Sequence, residues 1–506
     1  MEQKEQWGSR SGFILAAVGS AIGLGNIWRY PYVVYENGGG AFLLPYLIAL
    51  FTAAIPILLM EYAIGHKKRG SAPLSYKRLS DRFEWIGWWQ VLVSFVIITY
   101  YMVIIGWAAS YTYFSMGTQW GDDTQSFFLS QYLNVGEDFW SFGGIQWQIL
   151  IPVILVWALV YWVLHRGVNR GIELASKILM PLLIVLLIIF TIRAITLPGA
   201  MDGLDVLFTP DFSKMLNTDV WFAAYGQVFF SLSLGAGIMI TYSSYLKKKS
   251  DLANSGMIAG LANSGFEFLA AIAVFGALGF LAVQQNVAVT EVVSSGPMLA
   301  FVVFPNIINA FPSLNSLFGV LFFGTLVFAG FTSAVSLLEP GISAFKEKMN
   351  ISRKAAVNWI CGLGLLVSIA YTTRSGLSLL DIVDNFVNKF GILFSALVAM
   401  ILIGWVGKQL NPLRDHINSV SDIQVGKWWI VMLKFISPLI LSYILISGTI
   451  SEINEPYGDG GYPISALSIF GYGLVIALII GAFLLQMKKW PPIQSSDEKE
   501  RHKHGA

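Results

Sequence analysis

Apolar residues fill this chain in runs of about twenty or more, long enough to cross a bilayer core of ~30 Å. Short polar or glycine- and proline-marked breaks close each run, and the pattern persists from residue 12 to residue 487. It predicts an all-α polytopic membrane protein with twelve transmembrane helices. They are expected near residues 12–36, 41–65, 86–116, 147–165, 174–194, 219–246, 253–283, 314–345, 355–373, 379–406, 428–450 and 463–487. The first run is long and continues into further spans, which does not fit a cleaved signal peptide.

Charge gives the spans a direction. Lys and Arg accumulate on the cytoplasmic side of short loops, and here they fall in alternate connections: Lys67 to Arg82, Arg166 and Arg170, Lys247 to Lys249, Lys346 to Lys354, and Lys408 to Arg414. The stretches 117–146 and 284–311 carry no Lys or Arg at all. Both termini are therefore expected in the cytoplasm, the second as a solvated polar tail over 490–506. "TEVVSSGPMLAFVVFPNIINAF" (290–311) is too apolar for a solvated outer loop and is expected to fold back as short helices.

Composition narrows the function. Hydrophobic residues make up 55% of the chain and charged residues 12%. Cys361 is the single cysteine, which excludes an intrachain disulfide, a Cys-based metal site and a CxxC redox pair. A formal net charge of +2 gives no reason to expect a nucleic-acid partner. Neither HExxH nor GxSxG occurs, and no histidine lies in a polar span interior, so an enzyme is not expected.

Two spans are interrupted where a continuous helix should run: the first at "GSAIGLGN" (19–26) and the sixth at "SLSLGAG" (231–237). Unpaired backbone in hydrocarbon costs several kcal/mol and is tolerated only where it is buried or lines a cavity. The breaks lie five spans apart, so they match if the first ten spans form two inverted halves of five. Such pairs point to a transporter's midplane site. Glycines alone fit close helix packing equally well; the polar neighbours Asn26, Ser231 and Ser233 favour a site.

A small hard cation leaving water needs oxygen ligands, and the remaining polar positions could supply them. In the seventh span Asn263 and Glu267 stand one turn apart on one face. In the eighth, Ala329, Thr332 and Ser333 share a face, although a hydroxyl in a membrane helix commonly bonds its own i−4 carbonyl. Glu267 is an ionisable group within a span, a functional candidate by default; it is either protonated or neutralises nearby cations.

These residues carry a resemblance. "GSAIGLGNIWRYPY", "NGGGAFLLPY", the pair Tyr100–Tyr101, "GQVFFSLSLGAG", "AGFTS", and Gly171 followed ten residues later by Pro181 resemble the neurotransmitter:sodium symporter family, in particular its bacterial amino-acid members typified by the leucine transporter. That family is also one from which the rule of paired breaks was drawn. The similarity runs from about Trp7 through the tenth span; the last two spans match by position. The implied organisation is a cytoplasmic gate segment (1–11), a first repeat (12–200), a second repeat (201–406), two additional helices (407–489) and the tail.

The resemblance implies two Na⁺ sites. The first would use the Ala21 carbonyl, Asn26, Ser231, Asn263 and the substrate's carboxylate. The second would use the carbonyls of Gly19, Ile22 and Ala329 with the hydroxyls of Thr332 and Ser333. The substrate carboxylate would rest on the amides of Leu24 and Gly25 and the hydroxyl of Tyr101, its amino group on carbonyls of Ala21, Phe230 and Ser231. Ile97, Phe230, Ser233, Ala236 and Leu337 would line an apolar side-chain pocket, suited to a neutral, hydrophobic or aromatic amino acid. Gly23 stands where amine carriers of the family have aspartate, and Ala236 where the leucine transporter has a bulky aromatic.

By the same resemblance, Glu267 with Tyr46 and Gln227 would replace chloride, making transport chloride-independent, with proton binding to Glu267 assisting the return of the empty carrier. Arg29 and Asp384 would form an outer gate, Phe230 a lid, and Lys4, Trp7 and Glu347 an inner gate in which Lys replaces the usual arginine and loses its bidentate fork. Gly171 and Pro181 would open an inner release path, or mark an ordinary kink. The expected function is Na⁺-coupled amino-acid import by alternating access at a cell membrane. The alternative is a non-transporting amino-acid sensor with the same fold. The short second outer loop without a cysteine pair, and an N-x-S/T match only at Asn350–Ser352 on the inner side, suit a bacterial origin.

Overall fold

The computed structural model describes residues 5–311, 313–458 and 460–492. Lys4 and the tail beyond 492 lie outside the described residues. Among those described, ten helices are long and apolar enough to cross a bilayer: Gly39–Lys68, Asp81–Gly117, Trp147–His165, Val168–Ile195, Leu252–Gln285, Asn315–Met349, Arg353–Thr372, Gly376–Val406, Lys427–Asn454 and Ile464–Met487. The other two expected spans are the interrupted ones. Arg10–Ala21 and Leu24–Glu36 meet at a bend of 56°, and Thr218–Ser231 and Ile238–Ser244 flank the unwound stretch 232–237.

Local chemistry explains each break. Ile22 ends the first half-helix in extended conformation, and Gly23 follows at φ −130°, ψ −169°. The Gly23 amide then donates to Asn26 Oδ1 at 2.8 Å, so a side chain three residues on caps the second half. In the sixth span Ser233, Gly235 and Gly237 all take positive φ, a region glycine enters without steric penalty. A Cβ on Gly235 would also stand only 3.0 Å from the Ile392 carbonyl oxygen.

The broken spans are the first and the sixth in chain order, five spans apart. Spans three and eight pack along each other as the scaffold between them. The two additional helices are peripheral: 28% of their apolar stretch is buried in the protein, against 78% for spans three and seven.

The Lys- and Arg-rich connections gather on one face. Lys67 donates to the Pro412 carbonyl, Arg69 to the Leu246 carbonyl, and Arg353 lies 3.6 Å from Glu5. Stretch 284–311 folds back at the opposite face as Val289–Val292 and Gly296–Ala310. Phe301, Phe304 and Ile307 there are fully buried. The fifth span starts earlier than the hydropathy suggests, because polar Asn169 and Arg170 belong to the wide first turns Val168–Glu173. Helix continues from there past Pro181 without a gap.

Candidate functional site

The two breaks face each other in the middle of the bundle. Asn26, just past the first break, donates from Nδ2 to Asn263 Oδ1 at 2.9 Å and to Ser231 Oγ at 3.3 Å. Asn263 Nδ2 donates to the same Ser231 oxygen at 2.5 Å. Three side chains from three spans thus close a triangle, each at most 3% exposed.

The second oxygen cluster lies on the other side of the first break. The Ser333 hydroxyl sits 3.4, 3.2 and 3.0 Å from the carbonyl oxygens of Gly19, Ser20 and Ile22. The adjacent Thr332 donates to the carbonyl of Ala329, one turn earlier, at 3.0 Å. A Cβ on Gly19 would lie 3.3 Å from Thr332 Cβ, so the two groups are in contact. All five residues expected in the second set therefore converge.

Between the clusters run the freed amides of the second half-helix. Leu24 N–H donates to the Tyr101 hydroxyl at 3.2 Å. Gly23 leaves room for that hydroxyl, which would be 2.9 Å from an added Cβ. Phe230 packs so closely on Gly25 that a Cβ there would stand 2.6 Å from its ring. Arg29 lies over the other side of the scene, its guanidinium carbon 4.5 Å from the Phe230 centroid.

The expected side-chain pocket is bounded on three elements. Ser94, Ile97 and Tyr101 share one face of span three at i, i+3 and i+7. Ser94 donates to the Ala236 carbonyl at 2.7 Å, and Tyr101 meets Leu24, so Ile97 lies between the two broken helices. Leu337 stands one turn from Ser333 on span eight. Ser233, at φ +50°, points its hydroxyl to the Ser20 carbonyl at 3.5 Å.

Glu267 is fully buried beside the triangle. It accepts from the Tyr46 hydroxyl and, at 2.7 Å, from Gln227 Nε2; Tyr46 also lies 2.9 Å from Ser264 Oγ.

The expected gates have the following geometry. Among the described residues Arg29 and Asp384 form no ion pair within 4.0 Å. Asp384 accepts instead from Tyr100 at 2.6 Å and Asn388 at 2.8 Å. On the basic face, Trp7 is buried edge-on against Phe13 and Tyr242 and donates to the Tyr242 carbonyl at 2.8 Å. Glu347 accepts from Ser71 N at 2.9 Å and Ser71 Oγ at 2.5 Å. Near Gly171, Glu173 accepts from Gly8 N and Ser9 Oγ at 2.6 and 2.8 Å, fastening the N-terminal segment to span five.

Sequence reasoning missed the residues that hold the unwound stretch 232–237. Gly235 N–H donates to Glu61 at 2.8 Å, and its carbonyl accepts from Ser395 at 3.0 Å. Glu61 is a carboxyl inside the second span, and the argument that singled out Glu267 applies to it equally. Ser94 and Ser395 carry no such signal, since isolated hydroxyls in membrane helices are common.

The chain is similar to known sodium-dependent transporters along nearly its whole length. The model of the Sodium:neurotransmitter symporter family matches residues 4–126 and 118–491. An uncharacterized sodium-dependent transporter of Methanocaldococcus jannaschii is 41% identical over 487 residues, 96% of this chain and 98% of that protein. The human sodium- and chloride-dependent taurine transporter is 26% identical over 541 residues, 96% of this chain and 87% of that one. Among solved structures, MhsT in complex with L-phenylalanine superposes with a TM-score of 0.74 at 34% identity, covering 88% of this chain and all of that one. With a family match across nearly its whole length and a sodium-dependent transporter 41% identical to it, the chain belongs to the sodium:neurotransmitter symporter family.

Proposed function

We propose that this protein is a Na⁺-coupled symporter that imports a neutral amino acid, hydrophobic or aromatic in its side chain, by alternating access. The observation that carries the reading is the Asn26–Ser231–Asn263 triangle, which adjoins the freed amides at Leu24 and Gly25. The first Na⁺ takes its ligands from that triangle and the Ala21 carbonyl. The second takes the carbonyls of Gly19, Ile22 and Ala329 and the hydroxyls of Thr332 and Ser333.

Coupling follows from shared ligands. The substrate carboxylate lies on the amides at Leu24 and Gly25, where the half-helix N-terminus favours an anion, and it also completes the shell of the first ion. Each partner then raises the affinity of the other by the same factor. The amino group is taken by carbonyls of Ala21, Phe230 and Ser231. A small residue at Ala236, beside the face of span three that carries Ile97, supports a bulky apolar side chain, and the name of the L-phenylalanine complex of a relative is in keeping with that.

Glu267 supplies the negative charge near the first ion, so transport proceeds without chloride; its Tyr46 and Gln227 donors support that role. The basic face is cytoplasmic by the distribution of Lys and Arg. In this arrangement Trp7 closes that side. Arg29 and Asp384 come together outside, over Phe230, when substrate is enclosed, and the stretch from Gly171 to Pro181 yields on release.

The test is uptake of labelled phenylalanine, leucine, tryptophan and alanine into proteoliposomes under an inward Na⁺ gradient in chloride-free buffer. Accumulation that collapses when K⁺ replaces Na⁺ is expected. Binding without Na⁺-driven accumulation would make the protein a sensor.

A further inference from the structure

A surface cavity of about 940 Å³ opens on the basic face, outside the residues assigned to ions or substrate. Its walls come from four elements: the segment 5–8, the connection 165–170 between spans four and five, Lys247 at the end of span six, and Arg353–Lys354 at the start of span nine. The acidic group in the wall, Glu5, is already engaged. It lies 3.6 Å from Arg353 and accepts from Val168 N at 3.3 Å. Arg353 itself makes a two-pronged pair with buried Glu339 at 2.7 and 2.6 Å. That leaves Arg166, Arg170, Lys247 and Lys354, all exposed, with no carboxylate within 4.0 Å among the described residues. The cavity therefore concentrates four uncompensated positive charges, which favours an anion.

Two of those charges fix where the anion comes from. On span four Ile151, Leu155, Leu159 and Trp162 are each more than half exposed and form one lipid-facing stripe. Arg166 is its next member, and its guanidinium stacks 3.6 Å from the Trp162 ring centroid. On span five the exposed stripe of Ile178 and Leu174 runs out at Arg170. Both arginines thus end faces that meet acyl chains and begin the cavity wall, at the depth where phospholipid headgroups lie. Aromatic and arginine side chains anchor helices at that level, and basic pockets between helices on this side suit phosphate headgroups.

We propose that this cavity binds the headgroup phosphate of an anionic phospholipid through Arg166, Arg170, Lys247 and Lys354. The phosphate bridges three of the four walls, the connection 165–170, the end of span six and the start of span nine, and so holds them together around the segment that carries Trp7. Bound lipid therefore favours the closed arrangement of that face.

The test uses the full chain in nanodiscs made of equal parts phosphatidylcholine and phosphatidylglycerol, transferred to neutral detergent, with retained phosphatidylglycerol counted by native mass spectrometry. Wild-type protein should retain the lipid. The double variant Arg166→Gln with Arg170→Gln should lose retention roughly 25-fold, about fivefold per charge. Lys247→Gln with Lys354→Gln should do the same, so the proposal does not hang on one variant folding. Lys427→Gln, on the same face away from the cavity, should retain lipid as wild type does. Unchanged retention in both double variants would overturn the proposal, as would equal loss in the Lys427 variant. If inorganic phosphate binds in phosphatidylcholine nanodiscs as strongly as phosphatidylglycerol does, the site takes a free anion and the lipid assignment fails.

Discussion

Glu61 accepts the amide proton of Gly235 at 2.8 Å, tying the middle of the second span to the unwound middle of the sixth. A buried amide that loses its acceptor costs about 1–3 kcal/mol. Glu61→Ala should therefore lower the melting temperature in detergent and depress uptake, while Glu61→Gln, which keeps an acceptor oxygen, should retain most of both. Equal behaviour of wild type and Glu61→Ala would remove this bond from the account.

Ala236 sits fully buried in the same stretch, beside the face of span three that carries Ile97. Filling that space with a ring should penalise large substrates selectively. Overpacking typically costs about 1–3 kcal/mol, so Ala236→Phe should weaken phenylalanine and tryptophan binding by roughly 10- to 100-fold while sparing alanine. Competition binding against one labelled substrate measures the difference, and uniform loss across all substrates would contradict the pocket assignment.

Glu267 is enclosed by Tyr46 and Gln227 donors. If its carboxylate supplies the charge that chloride supplies elsewhere, Glu267→Ser should make uptake rise with added chloride, compared with gluconate at equal ionic strength. Indifference of the variant to chloride would sink the idea.

His416 lies between spans ten and eleven and packs against His66, with Nε2 2.9 Å from His66 Nδ1. Its imidazole is pushed down to about 4, chiefly by burial, with Lys67 and Arg69 adding repulsion. A lowered folded-state value means the unfolded chain takes up the proton first, near the ordinary ~6.5. The stabilisation is present above that pH and is lost as pH falls towards 4. Melting temperature should thus drop across this window, and less steeply in His416→Gln. Parallel curves would exclude the pair as the cause.

The two helix breaks and most polar residues around them are legible in the sequence. Positive backbone φ at Gly235 and Gly237 leaves a sequence trace, because few other residues adopt it; Ser233 takes the same conformation without one. Asn26, Ser231 and Asn263 were recognisable as polar atoms with no business in hydrocarbon. Ser94 and Ser395 were not, since what distinguishes them is the unwound carbonyl each faces across the bundle. Glu61, an ionisable group inside a span, carries the same signal as Glu267. The distance between Arg29 and Asp384 depends on how the helices stand relative to each other, which residue identity does not encode.

Asn26, Ser231 and Asn263 are proposed to hold a sodium ion whose shell the substrate completes. Equilibrium binding of labelled substrate to purified Asn263→Ala over a Na⁺ titration tests it most directly. Na⁺-dependent binding should disappear while the variant keeps its fold by circular dichroism. Binding with the Na⁺ dependence of wild type would contradict it.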